Sequence, residues 1–431
     1  MPLNIGGGIA DSSSGLNYTI IILQNGSALV SGYVDEDYPG HLGINPDEVV
    51  LGINEFQLIS QVYDPGVEDE GSNLEDEGLP THEVQVDESG VINIFDISSA
   101  LAAAEGSDAQ DDHEGEEAVD RRDGEGHKQS RGNRRSLLAP PLFTKAFAGG
   151  KSTFLLDREG HLWAAGGNSR GQLCLGDNID RMIPERVQLT ERIADVSIGG
   201  KHTILLGENG SIYGCGSNTY GQLGLGQEQT SFGPTKLEGV ESPVLNISSG
   251  YHHSILMTKD GIYFMGSNKY GQLCVDTGGE DISTPTMLDI NDQVAASVMA
   301  IKESSFILYE DGTVSGCGRN NVGQLGDGTF ADSAISSVKL DDPAVRLFGG
   351  PRAQSVFFVM DDKSIWGTGL NDRGQLGVGN TQNRNLPTRV EFDDQLQIDL
   401  LSVSAGHAVA VGTTATADEG ADSTLSGLGE Q

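Results

Sequence analysis

From residue 137 onward, short apolar runs alternate with polar turns, and the pattern repeats. FLLDREGHLWAAG, ILLGENGSIYGCG, ILMTKDGIYFMG, FILYEDGTVSGCG and FFVMDDKSIWGTG each place two strand-length runs around a tight turn. Glu-Gly, Asn-Gly and Asp-Gly in four of these turns supply the positive φ that a hairpin needs, so each segment predicts an antiparallel pair. No stretch carries apolar residues at the three- and four-residue spacing of an amphipathic helix.

A second pattern keeps the same phase. GGNSRGQL begins at Gly166, GSNTYGQL at Gly216, GSNKYGQL at Gly266, GRNNVGQL at Gly318 and GLNDRGQL at Gly369. Their Gly-Gln steps, at Gly171, Gly221, Gly271, Gly323 and Gly374, lie 50, 50, 52 and 51 residues apart. Pro184, Pro234, Pro285 and Pro387 follow at matching offsets, each leading into a further short strand. Four strands in a unit of this length cannot bury both sheet faces alone, so the units must pack radially as blades of a β-propeller. Within the motif the glycines permit the turn, the Asn amide can replace a backbone hydrogen-bonding partner, and the Leu is an apolar plug beneath it. A phosphate-binding loop is the competing reading of G-x-N-x-x-G. It is set aside because the motif joins strands and never opens a helix.

These residues resemble the regulator of chromosome condensation repeat family, whose blades carry a glycine-histidine-threonine strand, an aspartate-glycine turn and G-x-N-x-x-G-Q-L. The matching strand starts are GGKHT at Gly199 and GYHHS at Gly250, while GGKST at Gly149 has Ser152 in place of the His. Kelch repeats share the period and the glycine doublets, but lack the Asn-x-x-Gly-Gln-Leu core. The resemblance implies an all-β propeller of seven blades, with six blades or an imperfectly closed ring as alternatives.

Five full repeats cover about 137–390. At the amino end SSGLNYTIIILQNGSALVSG and GHLGI, from Gly40, form a degenerate unit, and LLSVSAGHAVAVGTT at the carboxyl end opens another. The expected organisation is a degenerate first blade over 1–65, an insertion over 66–136, five full blades and a partial closing blade over 137–411, and a flexible tail over 412–431. The insertion contains VEDEGSNLEDEG and DAQDDHEGEEAVD, followed by RRDGEGHKQSRGNRR. Blocks of like charge with few apolar residues predict a mostly disordered, solvated segment, with a small hairpin at VQVDESGVINIF. An acidic lure for a basic partner and a bipartite import signal at 121–135 are its sharper readings.

Composition narrows the partners. The 431 residues include 26 basic and 63 acidic side chains, a formal charge of -37. The first 120 residues hold 26 of the acidic residues and no Lys or Arg, leaving -11 for the rest. Such a chain is expected to repel phosphate backbones and anionic membranes. No basic stretch precedes the short apolar run near the amino end, and four cysteines make no disulfide framework. The expectation is a cytoplasmic monomer, with the nucleus as an alternative.

Candidate chemistry is sparse. Cys174 and Cys274 follow Gln-Leu, Cys215 and Cys317 precede a motif glycine, and small buried side chains are expected at all four rather than zinc. His202 and His253 share one blade position, and inner strands could bring them to the central channel as a base, a metal ligand or a contact for a partner. Trp163, Tyr213, Tyr263 and Trp366 each stand three residues before a motif glycine and are expected to pack between blades. Some plant relatives sense ultraviolet light through clustered tryptophans, but this chain has two Trp.

Just before the Gly-Gln step the residue varies: Arg170, Tyr220, Tyr270, Val322 and Arg373. These turns should share one rim of the ring, and Arg and Tyr are the types that carry interface energy. Arg170, Tyr220, Tyr270 and Arg373 are therefore candidate partner-binding residues, together with His202 and His253. No catalytic residue, cofactor or metal is assigned. The expected function is a non-enzymatic scaffold that binds a protein partner through rim loops. The alternative, implied by the family resemblance, is guanine-nucleotide exchange on a Ran-like small GTPase. An enzyme with its site around His202 and His253 is a third class.

Overall fold

A computed structural model of the chain describes residues 141–226, 229–290, 293–391 and 396–414, with short strand segments between 3 and 138 and one at 423–428. Among these residues there are strands and turns and no helix. Blade 1 comprises Ile9–Ser14, Tyr18–Leu23, Ala28–Gly32 and Gln57–Leu58. Blade 2 runs through Phe143–Gly149, Ser152–Asp157, Leu162–Gly166 and Arg181–Arg186, with Val62–Tyr63 and Leu137–Leu138 added at its outer edge. Blade 3 is Ile193–Ile198, His202–Gly207, Ile212–Gly216 and Ser231–Lys236. Blade 4 is Val244–Ser249, His253–Thr258, Ile262–Gly266 and Ile282–Leu288. Blade 5 is Ala295–Ala300, Ser304–Tyr309, Val314–Gly318 and Ser333–Ser337. Blade 6 is Ala344–Phe348, Ser355–Met360, Ile365–Gly369 and Arg384–Arg389.

These six sheets are each built on consecutive strands. A seventh is composite: Leu396–Val403, Ala408–Thr414 and Ser423–Leu428 are completed by Leu3–Asn4 from the other end of the chain. Leu3 pairs with Leu425 and Asn4 with Thr424, so the ring is fastened by hydrogen bonds between the two ends. The first strands of successive blades touch in order, and that of the composite sheet touches Ile9–Ser14 of blade 1. Two expectations are corrected here. The span 412–431 is not simply a tail, because Ser423–Leu428 fills the edge left by Ala408–Thr414, and the span 1–65 gives its first strand to the closing sheet rather than to blade 1. Within 66–136, Gln85–Val86 and Ile92–Asn93 pair antiparallel where the small hairpin was expected. The expectation of disorder for the rest of that insertion lies outside the described residues.

The core lies between blades. In blades 2, 3, 4 and 5 every residue of the second strand is buried, because both of its faces are covered by neighbouring sheets. Phe306 of blade 5 meets Phe358 of blade 6 edge-on at 6.4 Å, and each such buried side chain contributes about 1.5–3 kcal/mol. Tyr213 and Tyr263 pack against these inter-blade clusters, as does Trp366, while Trp163 is buried and donates to Asp157.

The first strands are sheet edges and would leave unpaired N–H groups facing the channel. At two junctions side chains of the preceding blade satisfy them. Ala146 N donates to Asp11 Oδ2 and Ala148 N to Ser13 Oγ, and Val298 N and Ala300 N donate in the same way to Asn246 and Ser248.

The cysteines depart from expectation. Cys174 of blade 2 is bonded to Cys215 of blade 3, and Cys274 of blade 4 to Cys317 of blade 5. Equivalent positions do not converge, but the residue after Gln-Leu in one blade lies against the third strand of the next. Cys174 and Cys274 take φ values of 60° and 57°, at the step where Gly224, Gly326 and Gly377 have 67°, 63° and 65°. A side chain in this conformation costs about 1–2 kcal/mol, which a covalent tie between blades offsets. All four cysteines are therefore paired, against the expectation that they make no disulfide framework.

Candidate protein-interaction face

Each motif turn is built by its own side chains. Asn168 Oδ1 accepts from Leu173 N at 2.9 Å, and Asn218, Asn268, Asn320 and Asn371 do the same for the Leu five residues on. Gln172 Oε1 accepts from Arg170 N at 2.8 Å, and the other four glutamines repeat the contact. The Leu side chains are fully buried below. This is the turn chemistry expected from the sequence, and it holds residues such as Arg170 and Tyr220 outward on a fixed backbone.

The motif turn shares one end of each blade with the turn between the first and second strands. Gly167 N donates to Lys151 O, Ser217 N to Lys201 O, Ser267 N to His252 O, Arg319 N to Glu303 O and Leu370 N to Gln354 O. The first turns are also joined to one another. Gly200 N donates to Tyr251 O at 3.1 Å, Tyr251 N to Lys302 O at 2.9 Å and Lys302 N to Ala353 O at 3.1 Å, forming a backbone belt over blades 3 to 6.

The variable motif residues lean from one blade onto the next. Tyr220, 38% exposed, packs against His252 of blade 4 with ring centres 4.5 Å apart. Tyr270 lies under Arg319 of blade 5 at 4.9 Å, and Arg319 is ion-paired to Glu303 at 2.5 Å. Arg373 of blade 6 packs against Gly406 in the first turn of blade 7. Arg170 is exposed, and its backbone N–H is engaged by Gln172. All four candidates on motif turns therefore stand at one end of the ring. Sequence reasoning missed Tyr251, His252, Lys302 and Arg352 of the belt. Arg352 is stacked over Tyr251 at 5.1 Å, and Tyr251 meets His252 edge-on at 4.4 Å. Burial holds the His252 imidazole below its usual range, with Glu303 opposing and Lys201 and Arg352 reinforcing the shift.

His202 and His253 are corrected. Both are fully buried and line neither the channel nor the exposed end. Burial, reinforced by the field of His252, pushes each imidazole down to about 3, so both are neutral. They begin the second strand, which is covered on both faces, and the repeat fixed their phase but not their depth. A cavity of about 150 Å³ near the inner strands is lined by Ser13, Phe147, Ser197, Ser248 and Met299 among others, with no titratable group. The enzyme reading centred on these two histidines has no accessible site.

Among the described residues one cluster, Asp157, Glu159 and His161, could hold a metal ion. Its buried carboxylate is already engaged by Glu159 N, His161 N, His161 Nδ1 and Trp163 Nε1, which lock the hairpin turn. No helix of the described residues is long and apolar enough to cross a membrane.

The Regulator of chromosome condensation (RCC1) repeat model matches residues 159–206, 209–257 and 362–411, and a second RCC1 repeat model matches 193–222. The matched segments coincide with strands and motif turns of blades 2, 3, 4, 6 and 7. The chain carries RCC1 repeats. Among curated proteins this RCC1-repeat chain is 33% identical over 110 residues to the E3 ubiquitin-protein ligase HERC2 of Homo sapiens and of Mus musculus. The match covers 23% of this chain, and the chain spans about 2% of the length of those relatives. Among solved structures, human WBSCR16 superposes with a TM-score of 0.67 at 15% identity, covering 99% of this chain and 88% of that one. Prp20p from Saccharomyces cerevisiae, described with its binding properties to Gsp1p and histones, superposes with a TM-score of 0.64 at 16% identity, covering 97% and 82%. At these identities the structural likeness speaks for the fold.

Proposed function

We propose that this RCC1-repeat propeller is a non-enzymatic scaffold that holds a protein partner against the end of the ring formed by the first turns and the motif turns. The observation that carries this reading is the belt of hydrogen-bonded first turns bearing Tyr251, His252, Lys302 and Arg352, flanked by Tyr220, Tyr270 and Arg373. Partly exposed Tyr and Arg on a rigid backbone lose little freedom on docking, which is the composition and stiffness of interface hot spots. The opposite end, formed by the hairpin turns at 158–160, 208–210, 259–261, 310–312 and 361–363, has the charged, solvated character of ordinary turns.

Affinity capture tests the reading. Tyr220→Ala with Arg373→Ala should lose proteins that the wild-type chain retains, whereas Arg158→Ala with Lys259→Ala should retain them. Equal capture by both variants would contradict it. Guanine-nucleotide exchange on a small GTPase is the second reading, supported by the fold shared with Prp20p, which is described as binding Gsp1p. Release of a fluorescent guanine nucleotide from purified GTPases, with and without this chain, checks it, and no acceleration would remove it.

A further inference from the structure

Resting on the interaction-face reading, we propose that the partner element over the ring axis is an acidic peptide segment whose carboxylates pair with Arg352, Lys302 and Lys201. The first turn of blade 6 is unusual: residues 349–354 lie between its first and second strands, where blade 2 has 150–151 and blades 3, 4 and 5 have 199–201, 250–252 and 301–303. The added length carries Arg352 across the mouth of the ring. Its guanidinium stacks on Tyr251 of blade 4, and its Nε lies where a β-carbon on Gly150 of blade 2 would be 3.3 Å away. Blades 2, 4 and 6 thus meet at one arginine.

That arginine is under-satisfied. Among the described residues, Nε of Arg352 is buried without a hydrogen-bonding partner, and so is Nδ1 of the neighbouring His252. An Nε–H can only donate, so the missing partner is an acceptor. Neither Lys201 nor Lys302 has an acidic side chain within ion-pairing distance among the described residues, and the nearby Glu303 is committed to Arg319. Cations without an ion pair among the described residues, on a chain of net charge -37, are a local feature and define the sign of what docks there.

Two observations favour a peptide over a polyphosphate or a nucleic acid. Tyr220, Tyr251 and Tyr270 surround the cations and offer apolar area to side chains between the carboxylates. Arg352, Lys302 and Lys201 all stand on first turns, whereas a nucleic-acid strand would extend over the acidic remainder of the chain.

The test uses the full chain and a fluorescein-labelled oligoglutamate peptide, with an oligoglutamine peptide as the uncharged comparison. Fluorescence anisotropy should show salt-sensitive binding of oligoglutamate alone. Arg352→Gln with Lys302→Gln should weaken it about tenfold or more at an unchanged melting temperature. Lys201→Gln alone should weaken it less, and Arg158→Gln with Lys259→Gln at the other end should leave it unchanged. No binding, equal binding by the axis variant, or stronger retention of inorganic pyrophosphate than of the peptide would each overturn the proposal. If oligoglutamate fails while capture of proteins still depends on Tyr220 and Arg373, the acidic-peptide proposal falls and the interaction-face reading stands.

Discussion

His202 Nε2 lies 2.9 Å from Ser254 Oγ, one blade away, and Ser254 in turn donates to Gln222 O at 2.8 Å. Because the serine proton is committed to the carbonyl, the imidazole must carry its proton on Nε2. His253, Ser305 and Gln272 O repeat the arrangement between blades 4 and 5. Where Ser stands at the histidine position, as at Ser152, Ser304 and Ser355, its hydroxyl donates to the motif of its own blade. The histidines are thus inter-blade ties, and their chemistry sets a dependence on pH.

Both imidazoles have folded values of about 3, below the ordinary 6.5, so the fold holds the neutral form and the unfolded chain takes up the proton first. The stability they contribute is complete above 6.5 and is lost as pH falls from there toward 3, by about 1 kcal/mol per pH unit for each group. His202→Asn with His253→Asn should be less stable than wild type at pH 7.5, and the difference should shrink at pH 5. Denaturant unfolding at the two pH values measures this.

Gly199 and His202 are coupled sterically. A β-carbon on Gly199 would stand 2.0 Å from His202 Cε1 and 2.7 Å from Gly250 O. Gly199→Ala should therefore destabilise strongly, by about 2 kcal/mol or more. His202→Ala should relieve part of that cost, so the double variant falls short of the sum of the single changes. A double-mutant cycle by thermal unfolding reads the coupling.

The disulfides make blade junctions 2–3 and 4–5 covalent. Closing sequence separations of 41 and 43 residues is worth between about 3 and 5 kcal/mol each in chain entropy, so a reductant should lower the melting temperature by several degrees. The junction between blades 3 and 4 shows the alternative, with Gly224 against buried Met265. Cys174→Gly with Cys215→Met should exceed Cys174→Ser with Cys215→Ser in stability under reducing conditions, because glycine removes the left-handed cost of about 1–2 kcal/mol.

Asp195 is a half-buried carboxylate that desolvation raises above its ordinary range, against the opposing charge of Lys145, and Asp11 is raised in the same way. A raised carboxylate disfavours the fold where it is ionised, and the penalty disappears as pH falls through the raised value toward 3.8. Blade 4 has the neutral Asn246 at the corresponding place. Asp195→Asn should raise the melting temperature at pH 7, with the gain fading below pH 4.

The repeat was legible because each invariant motif residue answers a local demand. Asn168 replaces a missing backbone acceptor, Gln172 another, and Leu173 fills the space beneath, so the pattern survives where other residues change. The rim positions of Tyr220, Tyr270, Arg170 and Arg373 followed from the same turns. Contacts between blades were not legible. Pairing Cys174 with Cys215 requires knowing which position of one blade faces which position of the next. The depth of His202 depends on the blade that covers it. The closing strands, Leu3–Asn4 and Ser423–Leu428, have too little apolar alternation to announce themselves. Arg352 had one signal, the longer first turn of blade 6, and it gains meaning only when the turns are seen as a belt.

The interaction face is tested most directly by hydrogen–deuterium exchange of the full chain, alone and with a protein it captures. The account predicts new protection in the first turns and motif turns, around 149–152, 199–202, 250–253, 349–355 and the loops beginning at Asn168, Asn218, Asn268 and Asn371. Protection confined to the hairpin turns at 158–160, 208–210, 259–261, 310–312 and 361–363 would contradict it.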